Sequence, residues 1–145
     1  MSQGDKPTIL HLIDSFDQGG AQENLLLLLK NRDREQFHYA VAALNATGHY
    51  LEEFRTLGIE VYSLASSRYD PRMLLRLRSL LRSIRPDILH THLVISNCIG
   101  KLCSVDLPNT HLVTHVVSEN PFSYEYSLLK SLDAWANRKS SAIIA

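Results

Sequence analysis

Strand-like and helix-like segments alternate along the whole sequence, and this alternation limits the possible folds more than any other feature. Apolar runs predict five strands and the start of a sixth, at residues 8–14, 38–44, 59–64, 87–92, 111–117 and 141–145. Helices are predicted between them, at residues 21–32, 50–58, 71–85, 96–105 and 124–138. The strands show little alternation of apolar and polar side chains, which is typical of a parallel sheet covered by helices on both faces. The predicted fold class is therefore α/β.

Right-handed crossovers between parallel strands favour a doubly wound, Rossmann-like strand order, 3-2-1-4-5-6. In this order strands 1 and 4 are neighbours, so the loops after Asp14 and His92 open onto one crevice, where such sheets bind ligands. A length of 145 residues suits a single domain. Because the sequence ends at Ala145 just as a sixth strand begins, we expect it to be a fragment of a longer protein.

Charge and composition exclude several classes of protein. Fifteen basic residues balance fifteen acidic ones, whereas a nucleic-acid-binding domain usually has a basic excess. No apolar run approaches the ~20 residues of a membrane-spanning helix, and the N-terminus lacks a hydrophobic signal segment. We therefore expect a cytoplasmic protein that binds no nucleic acid. Cys98 and Cys103 would lie about 140° apart on one helix, so we expect free, buried thiols.

Two adjacent glycines, Gly19 and Gly20, lie between the first strand and the first helix. Glycine allows backbone N–H groups to approach a ligand closely, and the start of a helix favours an anion such as phosphate. The segment is neither the dinucleotide-binding fingerprint nor a P-loop, because G-x-G-x-x-G and G-K-[ST] are both absent. A tight turn that merely needs glycine remains the alternative.

Histidines collect at the ends of the fourth and fifth predicted strands. His90 and His92 share one face of strand 4, and His115 lies near the end of strand 5. Three imidazoles could bind zinc, but no carboxylate or cysteine is placed to complete a site, so we predict no metal. A crevice histidine could instead contact a sugar or phosphate, act as a general acid or base, or be purely structural. We interpret His11, inside strand 1, as structural.

Polar residues follow both of these strands. Asn97 opens the helix after strand 4 and would face the glycine loop across the crevice, although a capping role for Ser96 or Asn97 is the simpler interpretation. Glu119 lies in the polar loop after strand 5, which ends at Pro121. Loops at the carboxyl end of a sheet often carry function, but turn formation alone would favour the same composition.

The third predicted helix is strongly amphipathic. At 100° per residue, all but one of its apolar side chains fall within about 120° of the helix circumference. Five arginines and one leucine fill the rest: Arg72, Leu75, Arg76, Arg78, Arg82 and Arg85. Such a face could contact an anionic membrane surface. The solvated face of an ordinary covering helix is the favoured alternative.

Several of these motifs together resemble a known family. A first strand, G-G-A-x-E at the start of a leucine-rich helix, R-P-D-I-L-H-T-H-L with Asn97 and Gly100 downstream, and a T-x-V strand resemble the N-terminal domain of GT-B glycosyltransferases. The most similar group is the GT4-type, retaining enzymes that use nucleotide sugars. The resemblance covers nearly the whole chain, and the combination is more specific than either motif alone.

The resemblance implies two Rossmann-like domains that face a cleft, of which this chain is the acceptor-binding half. Gly19 and Gly20 would meet the donor diphosphate, and His92 and Asn97 would line the acceptor side. His115 is a second candidate catalytic residue, because Val117 occupies the position where many members carry a histidine and His115 shares its strand face. The family needs neither a metal nor another cofactor.

The resemblance also implies that a C-terminal domain, with the E-x7-E carboxylates of the donor pocket, is missing from this sequence. The chain alone is then expected to be inactive. The whole enzyme would transfer a sugar to a glycan or lipid-linked acceptor, in cell-surface polysaccharide or glycolipid synthesis, with the arginine helix at the inner face of the membrane. The alternatives are a stand-alone Rossmann-like binding module, a non-catalytic subunit of a split transferase and, last, a GT-B-fold epimerase.

Overall fold

A six-stranded parallel sheet forms the centre of the molecule. The computed structural model describes residues 6–45, 47–65, 70–115, 131 and 141–144. The strands are β1 (Thr8–Ile13), β2 (His38–Ala43), β3 (Glu60–Ser63), β4 (Ile88–His92), β5 (His111–His115) and β6 (Ala142–Ile144). The helices of the described residues include α1 (Gly20–Lys30), α2 (Leu51–Thr56), α3 (Arg72–Ile84) and α4 (Val94–Cys103).

The strand order is β3-β2-β1-β4-β5-β6, and every neighbouring pair is parallel. This confirms the predicted α/β, Rossmann-like fold and its order. Since β1 lies beside β4, their carboxyl ends meet at the same edge of the sheet. The loops that follow them therefore share the predicted crevice.

Two apolar clusters hold the helices against the two faces of the sheet. On one face, Leu10, Leu12 and Leu89 pack with the buried side chains of α3. On the other face, Ile13 and Val41 belong to a cluster with the leucines of α1 and with Phe54 of α2. Near-complete burial on both faces explains why the central strands read as continuous apolar runs.

Helix α4 begins earlier than predicted. The sequence suggested a start at Ser96, but the first helical residue is Val94, directly after Leu93. Leu93 has a positive φ of 71°, so the chain turns sharply from β4 into the helix within one residue. The predicted helix at residues 124–138 falls almost entirely outside the described residues, as do Val117, Glu119 and Pro121.

Helix α3 agrees with its predicted faces except at one position. Met73, Leu77 and Leu81 are buried, and Leu75 is 72% exposed among the arginines. Leu74, predicted on the apolar face, is 42% exposed. Both cysteines are free and buried, as expected. No helix of the described residues is long and apolar enough to cross a membrane.

Candidate functional site

The two adjacent glycines differ in their surroundings. Gly19 is the extended N-cap of α1, with its carbonyl accepting from the Glu23 N–H at 3.0 Å. A Cβ at Gly19 would lie 2.7 Å from Oε1 of Gln22, a side chain whose Nε2 donates to the Ser15 carbonyl at 3.2 Å. A Cβ at Gly20 would have no described atom within 4 Å. A Cβ at Gly19 would therefore have to displace the end of the Gln22 side chain, whereas the space at Gly20 is open.

A second loop holds the segment after β1 in place. The Phe16 N–H donates to the Thr47 carbonyl at 3.2 Å, and the Phe16 carbonyl accepts from the Tyr50 N–H at 2.9 Å. Gly48 has φ of 150°, and a Cβ there would lie 2.0 Å from the Phe16 carbonyl carbon. Glycine is therefore required at this position. No local sequence signal marks this requirement, because the partner, Phe16, is far away along the chain.

Glu23 of the G-G-A-x-E motif contacts the same second loop. Its Oε1 accepts a hydrogen bond from the Tyr50 hydroxyl at 2.7 Å. This hydrogen bond raises the pKa of Tyr50, because it favours the protonated phenol. Glu23 thus ties the first turn of α1 to the residue that precedes α2.

A carboxylate at the end of β1 connects the two loops of the crevice. Asp14 Oδ1 accepts from the Ser96 N–H at 2.8 Å and also from the Ser96 hydroxyl. The bonded N–H lies in the first turn of α4, where a negative charge is favourable. Asp14 therefore caps α4 from a neighbouring strand. In the sequence, the position of Asp14 at the end of an apolar strand was the available signal for such a role. Its partner, Ser96, could not be identified without the strand order.

Asn97 lies at the predicted junction but points towards β5. Its side chain is 3% exposed, and its Nδ2 donates to the His115 carbonyl at 3.3 Å. Its Oδ1 is buried and has no hydrogen-bond partner among the described residues. The structure therefore gives Asn97 a positioning contact with the end of β5, and its predicted contact with a ligand stays a prediction.

Four histidines cluster on one face of the sheet. His11 of β1 is in register with His90 of β4, and His92 is in register with His115 of β5. His11 Nδ1 lies 3.1 Å from His92 Nε2, and His92 Nδ1 lies 3.3 Å from His115 Nδ1. The imidazoles of His11, His92 and His115 thus form a chain that runs from the sheet interior towards the carboxyl edge.

Burial keeps three of these rings neutral. It lowers the pKa of His11 to about 3, with a further contribution from His90. It lowers the pKa of His90 to about 4, with a further contribution from His115. The pKa of His92 is also held far below its usual range, first by burial and then by the neighbouring histidines. Neutral imidazoles can donate and accept hydrogen bonds and can bind metal ions.

The structure changes the membership of the predicted histidine group. Sequence spacing grouped His90, His92 and His115, whereas His11, His90 and His92 each offer one ligand atom within 4.8 Å of the others. The interpretation of His11 as merely structural overlooked this placement, which follows from β1 lying beside β4. His115 is half-buried at the edge of the group. The fold thus brings together the two predicted catalytic residues, His92 and His115.

One open depression of the described residues lies away from the crevice. It has a volume of about 630 Å³ and is lined by residues at the amino ends of β2 and β3, including His38, Tyr39 and Glu60. Ligands of doubly wound sheets bind at the carboxyl ends of the strands. We therefore place the candidate site at the crevice, where Gly20, Asp14 and His115 lie, rather than in this depression.

No family model and no curated protein matches this sequence. Solved structures do match, among them Anabaena HepE in complex with UDP, with a TM-score of 0.73 and 20% identity over 95% of this chain. A glycosyltransferase from Rickettsia africae ESF-5 matches with a TM-score of 0.68 and 16% identity over 97% of this chain. A UDP-N-acetylglucosamine 2-epimerase matches with a TM-score of 0.66 and 15% identity over 97% of this chain.

The matched proteins are much longer than this chain. The chain spans only 37% of HepE, 37% of the Rickettsia enzyme and 42% of the epimerase. At these identities the likeness concerns the fold, which is the α/β, Rossmann-like fold described above.

Proposed function

We propose that this chain is the acceptor-side domain of a GT-B, GT4-type glycosyltransferase that uses a nucleotide-sugar donor. The observation that carries the proposal is the open space at Gly20, at the start of α1, on the loop that follows β1 and that Asp14 joins to the start of α4. Backbone N–H groups at a helix start suit a diphosphate. The similarity of the fold to proteins whose structures contain UDP and UDP-glucose supports this choice of ligand.

Most of the donor site would lie in a second domain. The chain spans 37% of HepE, so the remaining length of a similar enzyme leaves room for a C-terminal, donor-binding domain. Gly19 and Gly20 would contribute the diphosphate contact from this side of the cleft. The present chain alone is then inactive, and the donor would need neither a metal nor another cofactor for transfer.

The acceptor would approach the end of β5. His115 is the catalytic candidate that is partly exposed. The buried, neutral His92 would act on the substrate only through His115, whose Nδ1 lies 3.3 Å from Nδ1 of His92. Asn97 would fix the backbone of His115 through its hydrogen bond to the carbonyl. Glu119 would bind substrate from the loop that follows. The acceptor would be a glycan or a lipid-linked sugar of the cell surface.

A transfer assay on the natural protein that contains this chain tests the proposal. Labelled UDP-sugars are supplied together with a glycan and lipid extract from the source cells. We expect label in the extract, and a loss of at least about tenfold in kcat/KM when Gly20→Ala fills the open space, which corresponds to about 1.4 kcal/mol. The control is Gly58→Ala, remote from the crevice. Absence of transfer and of UDP-sugar binding by the natural protein would refute the proposal.

Membrane contact through α3 is a separate part of the proposal. The face carries an exposed Leu75, but Arg78 and Arg82 both pair with Asp106, and Arg76 donates to the Leu64 carbonyl at 2.7 Å. Arg72 and Arg85 complete the face. We expect the triple change of Arg76, Arg78 and Arg82 to glutamate to weaken sedimentation with anionic vesicles. Unchanged sedimentation would remove the membrane contact without affecting the transferase proposal.

Epimerisation is the second candidate function, because one matched structure is a UDP-N-acetylglucosamine 2-epimerase. An epimerase would convert its nucleotide sugar without any acceptor. Sugar analysis after incubation of the natural protein with a donor alone therefore separates the two activities. A natural protein whose intact mass corresponds to about 145 residues would instead favour a stand-alone binding module or the subunit of a split transferase.

A further inference from the structure

We propose that His11, His90 and His92 form a binding site for a divalent transition-metal ion, with zinc as the best fit. The three residues lie on adjacent strands, and their side chains share one face of the sheet, because His11 is in register with His90. The site would bind its ion whether or not the chain takes part in sugar transfer.

The spacing of the rings matches that of a metal site. One ring nitrogen from each histidine lies within 4.8 Å of the other two, and His11 Nδ1 is 3.1 Å from His92 Nε2. Zinc–nitrogen bonds of about 2.0 Å in a tetrahedral site put the nitrogens about 3.3 Å apart and the ring centres about 5 Å apart. The observed ring centres are 5.0, 5.4 and 4.1 Å apart. Small rotations of the rings would therefore complete the geometry.

The chemical state of the rings also suits a metal ion. A neutral imidazole offers one lone pair to a metal ion. Nδ1 of His115 lies 3.3 Å from Nδ1 of His92 and would accept the Nδ1–H of His92. Nε2 of His92 would then be free to bind the ion. Hydrogen-bond partners of metal-binding histidines commonly fix the tautomer in this way. Nε2 of His90 is buried and has no hydrogen-bond partner among the described residues.

The ligand set selects the kind of metal. Imidazole nitrogens suit zinc, copper, nickel and cobalt, whereas magnesium and calcium need oxygen ligands. Three protein ligands leave a fourth position for water or another ligand. A depression of about 420 Å³ reaches His11 and His90 between Leu28, Tyr39 and Ile144 of the described chain, and gives an ion a route to the site.

The test is a metal titration of the 145-residue chain after treatment with a chelator. We expect saturable, equimolar binding of Zn²⁺ by calorimetry, and intense visible absorption with Co²⁺, which reports tetrahedral coordination. His90→Gln should weaken Zn²⁺ binding by at least about tenfold, since each ligand is a large part of the site. The matched control is His111→Gln, because His111 is exposed at the start of β5, outside the group.

Two results of the Zn²⁺ titrations would overturn the proposal. One is the absence of saturable Zn²⁺ binding by the unaltered chain, which would make the group a purely hydrogen-bonded cluster. The other is equal Zn²⁺ affinity of the His90→Gln and unaltered chains. If circular dichroism shows that His90→Gln does not fold, the Co²⁺ spectrum of the unaltered chain decides: intense tetrahedral bands support the site, and weak octahedral bands refute it.

Discussion

Replacement of Gly48 by alanine tests whether the loop at the crevice is held as the structure describes. Gly48 has φ of 150°, and the new Cβ would lie 2.0 Å from the carbonyl carbon of Phe16 and 2.3 Å from its oxygen. Both atoms belong to the backbone, so no side-chain rotation relieves the contact. The loop after β1 would have to move away from Thr47 and Tyr50, which now bond to it.

The expected loss of stability has two parts. A non-glycine residue in a sparsely populated backbone region costs about 1–3 kcal/mol. Displacement of packed backbone costs a further amount of about 1–3 kcal/mol. We therefore expect Gly48→Ala to lower the free energy of unfolding by about 2–6 kcal/mol. This is a large fraction of the about 5–15 kcal/mol by which a domain is usually stable.

Two other glycines provide matched controls. Gly58 has φ of 69° but open space around its Cβ position, so Gly58→Ala should cost only the about 1–2 kcal/mol of the left-handed conformation. Gly20 has open space and an ordinary φ. Gly20→Ala should therefore leave stability unchanged or raise it by up to about 1 kcal/mol.

Urea unfolding followed by circular dichroism measures this series. At an m-value of about 2 kcal/mol per M, the loss expected for Gly48→Ala lowers the midpoint by about 1–3 M. The order of midpoints should be Gly20→Ala highest, then Gly58→Ala, then Gly48→Ala. A Gly48→Ala midpoint equal to or above that of Gly58→Ala would refute the described packing of this loop.

Three further changes test other contacts by the same unfolding measurement. Gly100→Ala puts a Cβ 2.6 Å from the Thr91 Cγ2 and should lower the free energy of unfolding by about 1–3 kcal/mol. Thr91→Ser removes that methyl group, so a double-mutant cycle that shows no coupling between the two changes would contradict the contact. Asp14→Ala removes both bonds from Ser96 and should cost about 1.5–3 kcal/mol, unlike Asp14→Asn, which keeps an acceptor. Arg32→Met removes hydrogen bonds of 2.6 and 2.5 Å to the carbonyls of Leu29 and Leu57. An unchanged unfolding midpoint would show that these hydrogen bonds add nothing to stability.

The fold was predictable because its signals are local. Apolar runs of strand length, and helices closed by glycine or opened by proline, lie within a few residues of the observed elements. The order of the strands followed from the handedness of crossovers, which needs no knowledge of contacts. Even the exposed Leu75 was visible from helical periodicity. Leu74 was misplaced because its exposure depends on what covers that end of α3, which periodicity does not report.

The site was less predictable because its contacts join distant parts of the chain. His11 belongs with His90 and His92 only because β1 and β4 pair in one particular register. A shift by one residue would have turned His11 to the other face of the sheet. Asp14 and Ser96 meet for the same reason. Strand order identified the edge on which the site lies, but register decides which side chains touch there.

The two adjacent glycines separate internal packing from an interaction with something outside the chain. A Cβ at Gly19 would displace the Gln22 amide, which bonds to the Ser15 carbonyl, so Gly19→Ala would alter this side-chain contact even without a ligand. A Cβ at Gly20 would meet no other described part of the chain within 4 Å, and helix propensity would favour alanine over glycine. The proposed diphosphate contact would account for a glycine at a position where folding does not require one. Loss of donor binding without loss of stability in Gly20→Ala is the result that would establish this.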